Sequence, residues 1–375
     1  MIADKKNSKD LIDSDIKWLT RSASLARKGW GYVRPNPMVG CVLVKNGEVI
    51  GEGWHEEFGG PHAEVNALKM AGSNTQGSTA YVTLEPCNHY GKTPPCTDAL
   101  IKAEVSRVIF GVPDPGMEVV SGGQFLSKSG VEVSGPLSDT ASGYEVDPAF
   151  FHIKNQGCTY LAVKLAISRD ERIAIRIGEK TSLTGPEANR ESHYLRSGFD
   201  AILVGAETAY VDDPLLTVRH GFRPRIAPTR IVVDSRCRIS SEARLLQTVN
   251  EAPVLVLVTQ AAPLDRIRTL EKAGAQVEVV PEDNGRVDLE YALELCWKLG
   301  LASILCEGGG KLASTFLNKG LVQRFYLFSA PISLGDQGVP AFPDTLCTPY
   351  GLDWRVVGDP LHIGADVLSI YDRKI

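Results

Sequence analysis

One histidine and two cysteines set the strictest limit on how this chain can fold. Pro61-His62-Ala63-Glu64 and Glu85-Pro86-Cys87, with Cys96 nine residues after Cys87, offer an imidazole and two thiolates. To meet at one point they need a helix opening at His62, a strand closing at Cys87 and a second helix opening near Cys96. The apolar spacing supplies that frame. Val65, Leu68 and Met70 recur at helical intervals, Ala80 to Leu84 reads as a buried strand, and Thr97 to Ala103 reads as a helix. Three protein ligands leave a tetrahedral zinc ion one open position, the arrangement of catalytic rather than structural sites. Glu64, two residues past His62 in the same turn, stands close enough to carry protons without binding the metal.

Each half of this constellation has a bland reading on its own. His-x-Glu is common on helix surfaces, and two cysteines beside prolines can be a structural loop. Their combination in this order, on this frame, matches the layout of zinc-dependent nucleobase deaminases. A structural zinc would want a fourth ligand; His89 is the nearby candidate and is assigned to substrate instead.

Length and charge narrow the class further. The 375 residues suffice for two domains of ordinary size, and a net charge of −5 with interspersed signs offers no basic face for nucleic acid. Apolar runs such as Val254 to Val258 are too short to cross a bilayer, and nothing near the N-terminus resembles a cleaved signal, so no membrane partner and a cytoplasmic location are expected. Eight cysteines are too sparse for a disulfide framework. Cys41, Cys158, Cys237, Cys296, Cys306 and Cys347 stand alone among apolar or mixed neighbours.

The pattern along the chain predicts a polar start, then a helix capped by Ser14 with Ile16, Leu19, Ala23 and Ala26 on one face, ending near Gly29. Val39 to Val44 and Val49 to Trp54, joined at Asn46-Gly47, read as a β-hairpin. Val105 to Val112 is a further strand. The pattern pauses at Asn155-Gln156-Gly157, so domains are expected at 1–156 and 157–375. The second half alternates again, with strands at Tyr160 to Ile167, Ala201 to Val204, Thr229 to Val233, Val254 to Val258, Gln276 to Val280 and Ser303 to Cys306, and a helix at Leu289 to Lys298. Both halves are read as α/β. Chains of this kind often form homo-oligomers, although no segment marks an interface.

At this point the residues resemble a specific family. Pro35-Asn36-Pro37-Met38-Val39-Gly40, Gly51 through His55, Gly60 through Val65 and above all Glu85 through Cys96 are similar to the N-terminal domain of the bifunctional riboflavin-biosynthesis deaminase-reductases. Deaminases of free bases usually have two residues between the cysteines, whereas here there are eight. The longer loop brings a cation, an imidazole and hydroxyl donors, which suit a ribose phosphate. The resemblance implies a cytidine-deaminase-like three-layer α/β/α domain. It also implies that His89, Lys92 and Thr93 meet phosphate and sugar, with Asn36, His55 and Asp114 nearer the pyrimidine. Its substrate would be a phosphoribosyl pyrimidine, 2,5-diamino-6-(ribosylamino)pyrimidin-4-one 5′-phosphate, which loses its 2-amino group as ammonia. One departure is local: Asp114-Pro115 continues as Gly116-Met117 where the family often has Asn-Pro.

From residue 158 the chain resembles the same family's reductase domain, which implies a dihydrofolate-reductase-like α/β fold that uses NADPH to convert the ribosyl group to ribityl. Glu307-Gly308-Gly309-Gly310, before a helix at Lys311 to Leu317, is a glycine turn at a helix N-terminus where amides can receive a phosphate. Asp212 to Arg219 reads by itself as a turn entering a strand. The resemblance assigns Thr208, Asp212, Ser235, Gly308, Gly309 and Gly310 to NADPH, and Arg196, Leu215, Arg219 and Glu307 to substrate. Two departures stand out. Ser168-Arg169-Asp170-Glu171-Arg172 replaces Ser-Leu-Asp-Gly-Lys, and Lys180-Thr181-Ser182 replaces Ser-x-Trp. The altered Glu171 and Ser182 positions motivate one alternative beside the bifunctional reading, a deaminase with an inactive reductase-like domain; a reading from a different class is a non-catalytic zinc-stabilised binding protein for riboflavin precursors.

Overall fold

The computed structural model describes residues 13–116, 121–136, 143–343 and 348–374. Residues 1–12, Met117 and Cys347, named above, lie outside them. Two compact units divide between Gly157 and Cys158.

In the first unit, α1 (Asp13–Ala26) runs into a 3-10 turn at Arg27–Gly29. The helix begins at Asp13, so Ser14 falls inside its first turn rather than capping it. Leu19, Ala23 and Ala26 are buried as expected, but Ile16 is exposed and Asp15 turns inward. The Tyr81 hydroxyl donates to Asp15 at 2.6 Å and Arg107 approaches it at 3.4 Å, which compensates the buried carboxylate. Strands β1 (Gly40–Lys45) and β2 (Glu48–Trp54) form the hairpin, with Asn46 and Gly47 both at positive φ, 54° and 79°.

With β3 (Thr79–Leu84), β4 (Arg107–Val112) and β5 (Glu132–Ser134), the sheet runs β2-β1-β3-β4-β5, antiparallel on one side of β3 and parallel on the other. β4 starts two residues later than expected because the Val105 amide bonds Leu100 O and closes the preceding turn. Alternation along β1 makes three layers. Val42 and Val44 pack with Leu19 and Leu25 of α1, while Cys41 and Leu43 pack with Ala63, Ala67, Leu100 and Leu126. Those last four lie on α2 (Ala63–Ala71), α3 (Cys96–Lys102) and α4 (Gly122–Lys128). A Cβ on Gly53 would stand 2.3 Å from Ala63 O, so glycine lets the start of α2 lie directly on β2. That contact places His62.

In the second unit, ten strands among the described residues form one sheet. Parallel strands run in the order Gln276–Val279, Val254–Val258, Thr229–Val233, Ala201–Gly205, Ser303–Cys306, Tyr160–Ile167 and Arg324–Ser329. Asp366–Arg373 then pairs antiparallel with Arg324–Ser329, and Trp354–Val356 and Leu361–Ile363 pair with it in turn. The late strand Ser303–Cys306 inserts between the first two, so chain order reverses there, the place where open α/β sheets hold ligands at their carboxyl ends. The core is correspondingly apolar, with Leu161, Val163, Leu203, Ile231, Leu257 and Ile304 buried. Asp212 to Arg219 does not enter a strand: Ala206–Asp212 is helical, and residues 213–219 run on as irregular chain. Among the described residues no helix is long and apolar enough to cross a membrane.

Candidate functional site

In the first unit, His62 is the N-cap of α2 and Cys96 is the first residue of α3. His62 Nδ1 lies 3.3 Å from Cys96 Sγ and 3.5 Å from Cys87 Sγ, and the three ligand atoms all fall within 4.8 Å of one another. A tetrahedral zinc ion at about 2.3 Å from sulfur and about 2.0 Å from nitrogen sets N···S edges near about 3.5 Å. The donor set therefore fits zinc, bound through Nδ1. Hydrogen bonds from Cys96, and then from His62, lower the Cys87 thiol pKa against the effect of burial, favouring the thiolate a metal needs. Glu64 is buried in the first turn of α2, and burial, helped by the charge of Cys87, pushes its carboxyl up to about 7.

The other expected residues gather around this cluster to different degrees. Thr93 Oγ1 stands 3.4 Å from His62 Nε2, on the far side of the ring from the sulfurs. The His55 and His62 rings meet edge-on at 5.4 Å. His55 Nδ1 pairs with Pro61 O at 3.0 Å and Nε2 with Asn36 Nδ2 at 3.2 Å, a pattern met by a neutral ring protonated at Nδ1. Burial lowers the His55 pKa, in keeping with that state. Lys92 reaches back to place Nζ 3.9 Å over the Phe58 ring. Asp114 accepts the Gly116 amide at 2.9 Å, and His89 is exposed on the loop between the cysteines.

In the second unit, Thr208, Ser235, Glu307 and the glycine run follow the carboxyl ends of parallel strands, while Arg196 comes from a helix and Leu215 and Arg219 from the irregular segment 213–219. Glu307 follows Ser303–Cys306, and Arg196 of the helix Pro186–Ser197 grips it with two hydrogen bonds, Nε to Oε1 at 2.5 Å and Nη2 to Oε2 at 3.0 Å. Burial would raise the Glu307 carboxyl, but Arg196 and then Lys164 hold it at about 2. Arg196 Nη1 also donates to Thr217 O at 3.3 Å, and Arg219 Nη1 donates to Thr217 Oγ1 at 2.8 Å. Leu215 O accepts from the buried Arg230 at 3.0 Å.

The glycine run opens the helix Gly310–Asn318. Its amides are not all open to a phosphate, because Gly309 N already donates to Thr208 Oγ1 at 3.2 Å. A Cβ on Gly310 would stand 2.4 Å from Ala341 O, so this glycine is required by packing. Beyond it, Leu312 N and Ala313 N both donate to Gly309 O, at 3.1 and 3.2 Å, so the start of this helix already satisfies part of its own first turn. Ser235 Oγ accepts the Val287 amide at 3.0 Å, and Asp212 O accepts from Lys180 at 3.2 Å. The altered Glu171 sits at φ 59°, a region that favours glycine, yet its turn closes with Glu171 N on Ser168 O at 3.0 Å. Asp170 supports that turn by accepting from Ser168 Oγ, Leu334 N and Gly335 N.

Sequence reasoning gave no role to Lys164, whose Nζ lies 3.9 Å from Glu307 Oε2. A lone lysine inside the apolar strand Tyr160–Ile167 was the available signal, since a buried charge needs a reason. Phe58 and His193 were missed too. Their roles depend on contacts across the fold that no local pattern carries.

Known proteins match both halves of the chain. A model described as the cytidine and deoxycytidylate deaminase zinc-binding region matches residues 13–112, and one described as the RibD C-terminal domain matches residues 159–358. The riboflavin biosynthesis protein RibD of Actinobacillus pleuropneumoniae is 38% identical over 86% of this chain and 85% of its own length. The Escherichia coli K12 protein of that name is 36% identical over 94% and 98%. Among solved structures, Acinetobacter baumannii RibD superposes with a TM-score of 0.77 at 32% identity, covering 97% of this chain and 99% of that one. The Thermotoga maritima diaminohydroxyphosphoribosylaminopyrimidine deaminase/5-amino-6-(5-phosphoribosylamino)uracil reductase gives 0.78 at 29% identity, covering 96% and 99%. Matches to both halves do not favour a deaminase with an inactive partner domain. With relatives of this identity over most of its length and a family model matched in each half, the chain belongs to the RibD family of riboflavin-biosynthesis enzymes, bifunctional zinc-dependent deaminases and NADPH-dependent reductases that act on a small pyrimidine substrate.

Proposed function

We propose that the first unit deaminates 2,5-diamino-6-(ribosylamino)pyrimidin-4-one 5′-phosphate and that the second, from Cys158 on, reduces the ribosyl group of the product to ribityl. The observation that carries this reading is the eight-residue loop between Cys87 and Cys96, which sets Thr93 against His62 and Lys92 beside it, over Phe58. Such a loop offers a cation and a hydroxyl to a sugar phosphate. The Thermotoga maritima relative, named as a deaminase and a reductase of phosphoribosylaminopyrimidines, supports the same substrates. Free thiols throughout the described cysteines support a cytoplasmic setting.

His62, Cys87 and Cys96 would hold zinc, which would supply the Lewis acid that makes water nucleophilic at neutral pH. Glu64, near neutrality, takes the proton from that water and delivers it to the ring nitrogen and then to the leaving amine. Water oxygen bonds to C2, the C2–N bond breaks, and ammonia leaves. His55, held by Pro61, fixes the amide of Asn36, which presents a polar edge to the pyrimidine.

NADPH, when bound, would supply a hydride for the reduction at ribosyl C1′, with the C1′–O4′ bond breaking. The proton that O4′ needs comes from Lys164. Burial lowers the pKa of this lysine, so it releases a proton more readily than a free lysine. Glu307 orients Lys164 and Arg196 about the sugar, and Arg219 meets the phosphate end. Exchanging Glu64 for glutamine tests the division of labour. Ammonia release should fall by about 100- to 10,000-fold, while reduction of the already deaminated substrate proceeds at the parental rate. Retained ammonia release would remove Glu64 from the reaction.

A further inference from the structure

The guanidinium of Arg219 can meet a substrate only if the irregular segment 213–219 holds one path, and no strand or helix fixes it. Three side chains do so instead, Arg230 and His193 buried and Arg196 partly buried. Arg230 donates to Leu215 O at 3.0 Å, and Arg196 donates to Thr217 O at 3.3 Å. The third anchor is His193, whose Nδ1 accepts the Arg219 backbone N–H at 3.1 Å.

His193 lies three residues before Arg196 on the helix Pro186–Ser197, so both point from one helix face at the same segment. Its ring is 1% exposed and packs 4.7 Å from that of His220, the residue after Arg219. Accepting at Nδ1 requires a neutral ring with its proton on Nε2. Three groups around the ring are cationic or can become so, Arg196, Arg219 and His220. Burial foremost, and then their charges, lower the pKa of His193 to about 3, so it stays an acceptor at neutral pH.

We infer that His193 is a positioning residue for the reductase reaction: by holding the Arg219 amide through Nδ1, it aims the Arg219 guanidinium at the substrate. This rests on the reading that Arg219 binds substrate. Loss of the hydrogen bond lets the segment sample other paths, and binding then bears the cost of ordering it. Chemistry, once substrate is bound, is untouched.

Three variants of the full-length enzyme, assayed for NADPH oxidation with the deaminated substrate, test this. His193→Phe keeps an aromatic ring but has no acceptor, and it should raise KM by about three- to tenfold with kcat little changed. His193→Asn places an oxygen near the position of Nδ1 and should restore KM to within about twofold. In His193→Phe, hydrogen exchange at the Arg219 amide should accelerate, a readout that needs no turnover and also serves if KM cannot be measured. Arg219→Gln separates the inference from the reading beneath it. If Arg219→Gln raises KM while His193→Phe leaves both KM and exchange at parental values, the positioning role is overturned and the substrate role of Arg219 stands. If Arg219→Gln leaves KM unchanged, both fall together. Equal loss in His193→Phe and His193→Asn, with kcat falling as well, would also overturn it, because that pattern reports lost packing.

Discussion

Glu307 accepts two parallel hydrogen bonds from the guanidinium of Arg196, at 2.5 and 3.0 Å, and Lys164 stands 3.9 Å from one of the same oxygens. Two cations thus converge on one buried carboxylate at the carboxyl end of the strand Ser303–Cys306. Removing the carboxylate leaves both cations largely shielded from solvent and uncompensated. Glu307→Gln should cost about 3–5 kcal/mol and lower the melting temperature of the reductase unit by about 10 °C. NADPH oxidation should be lost while ammonia release persists. Calorimetry together with the two assays checks this, and unchanged reduction in Glu307→Gln would remove the pair from the site.

The same carboxylate gives a pH dependence with a definite sign. Burial alone would raise its pKa, but Arg196 and Lys164 hold it at about 2, below the ordinary 4.5. A depressed folded-state value means that in the window between these limits the unfolded chain binds the proton more readily. The stabilisation is complete above about pH 4.5 and is lost as pH falls towards 2. Urea unfolding across that window should show a steeper acid loss in the parent than in Arg196→Met. Parallel curves would contradict the assignment.

Glu171 occupies positive φ, at 59°, in the turn between Tyr160–Ile167 and Arg172–Ala174. A side chain there costs about 1–2 kcal/mol, partly offset by the greater freedom glycine has in the unfolded chain. Glu171→Gly should therefore raise the melting temperature of the reductase unit by about 1–3 °C without reducing NADPH turnover. A lower melting temperature would show that the glutamate side chain makes a contact that outweighs the strain.

Phe58 lies beneath the ammonium of Lys92, 3.9 Å from ring centroid to Nζ. A cation–π contact of about 0.5–1 kcal/mol holds that lysine where the sugar phosphate is proposed to sit. Phe58→Leu should raise KM for deamination by about two- to fivefold and leave kcat and zinc content unchanged. An unaltered KM would mean that Lys92 does not depend on this platform.

How far the sequence revealed all this depended on whether a feature was local. His62, Glu64, Cys87 and Cys96 were legible because their spacing is tied to the ends of a helix, a strand and a helix. The hairpin at Asn46-Gly47 was legible because both residues tolerate positive φ. Asp15 was hidden because its inward turn depends on Tyr81 and Arg107, far along the chain. The segment after Asp212 resembled a strand entry, but its backbone groups bond to Arg196, His193 and Arg230 instead of to a neighbouring strand. The glycine run looked like an open phosphate cradle, whereas Thr208 occupies one of its amides and Ala341 explains one of its glycines. Lys164 alone carried an unused signal, a charge in an apolar strand.

The most direct test of the central claim is a cofactor-omission assay on the purified, zinc-containing protein with the diaminopyrimidine ribosyl phosphate, following ammonia, NADPH and the ribityl product together. Without NADPH, ammonia should appear and the ribosyl product should accumulate. With NADPH, one cofactor should be oxidised for each ribityl product formed. Ammonia release with no NADPH consumption would contradict the bifunctional account and leave a deaminase alone.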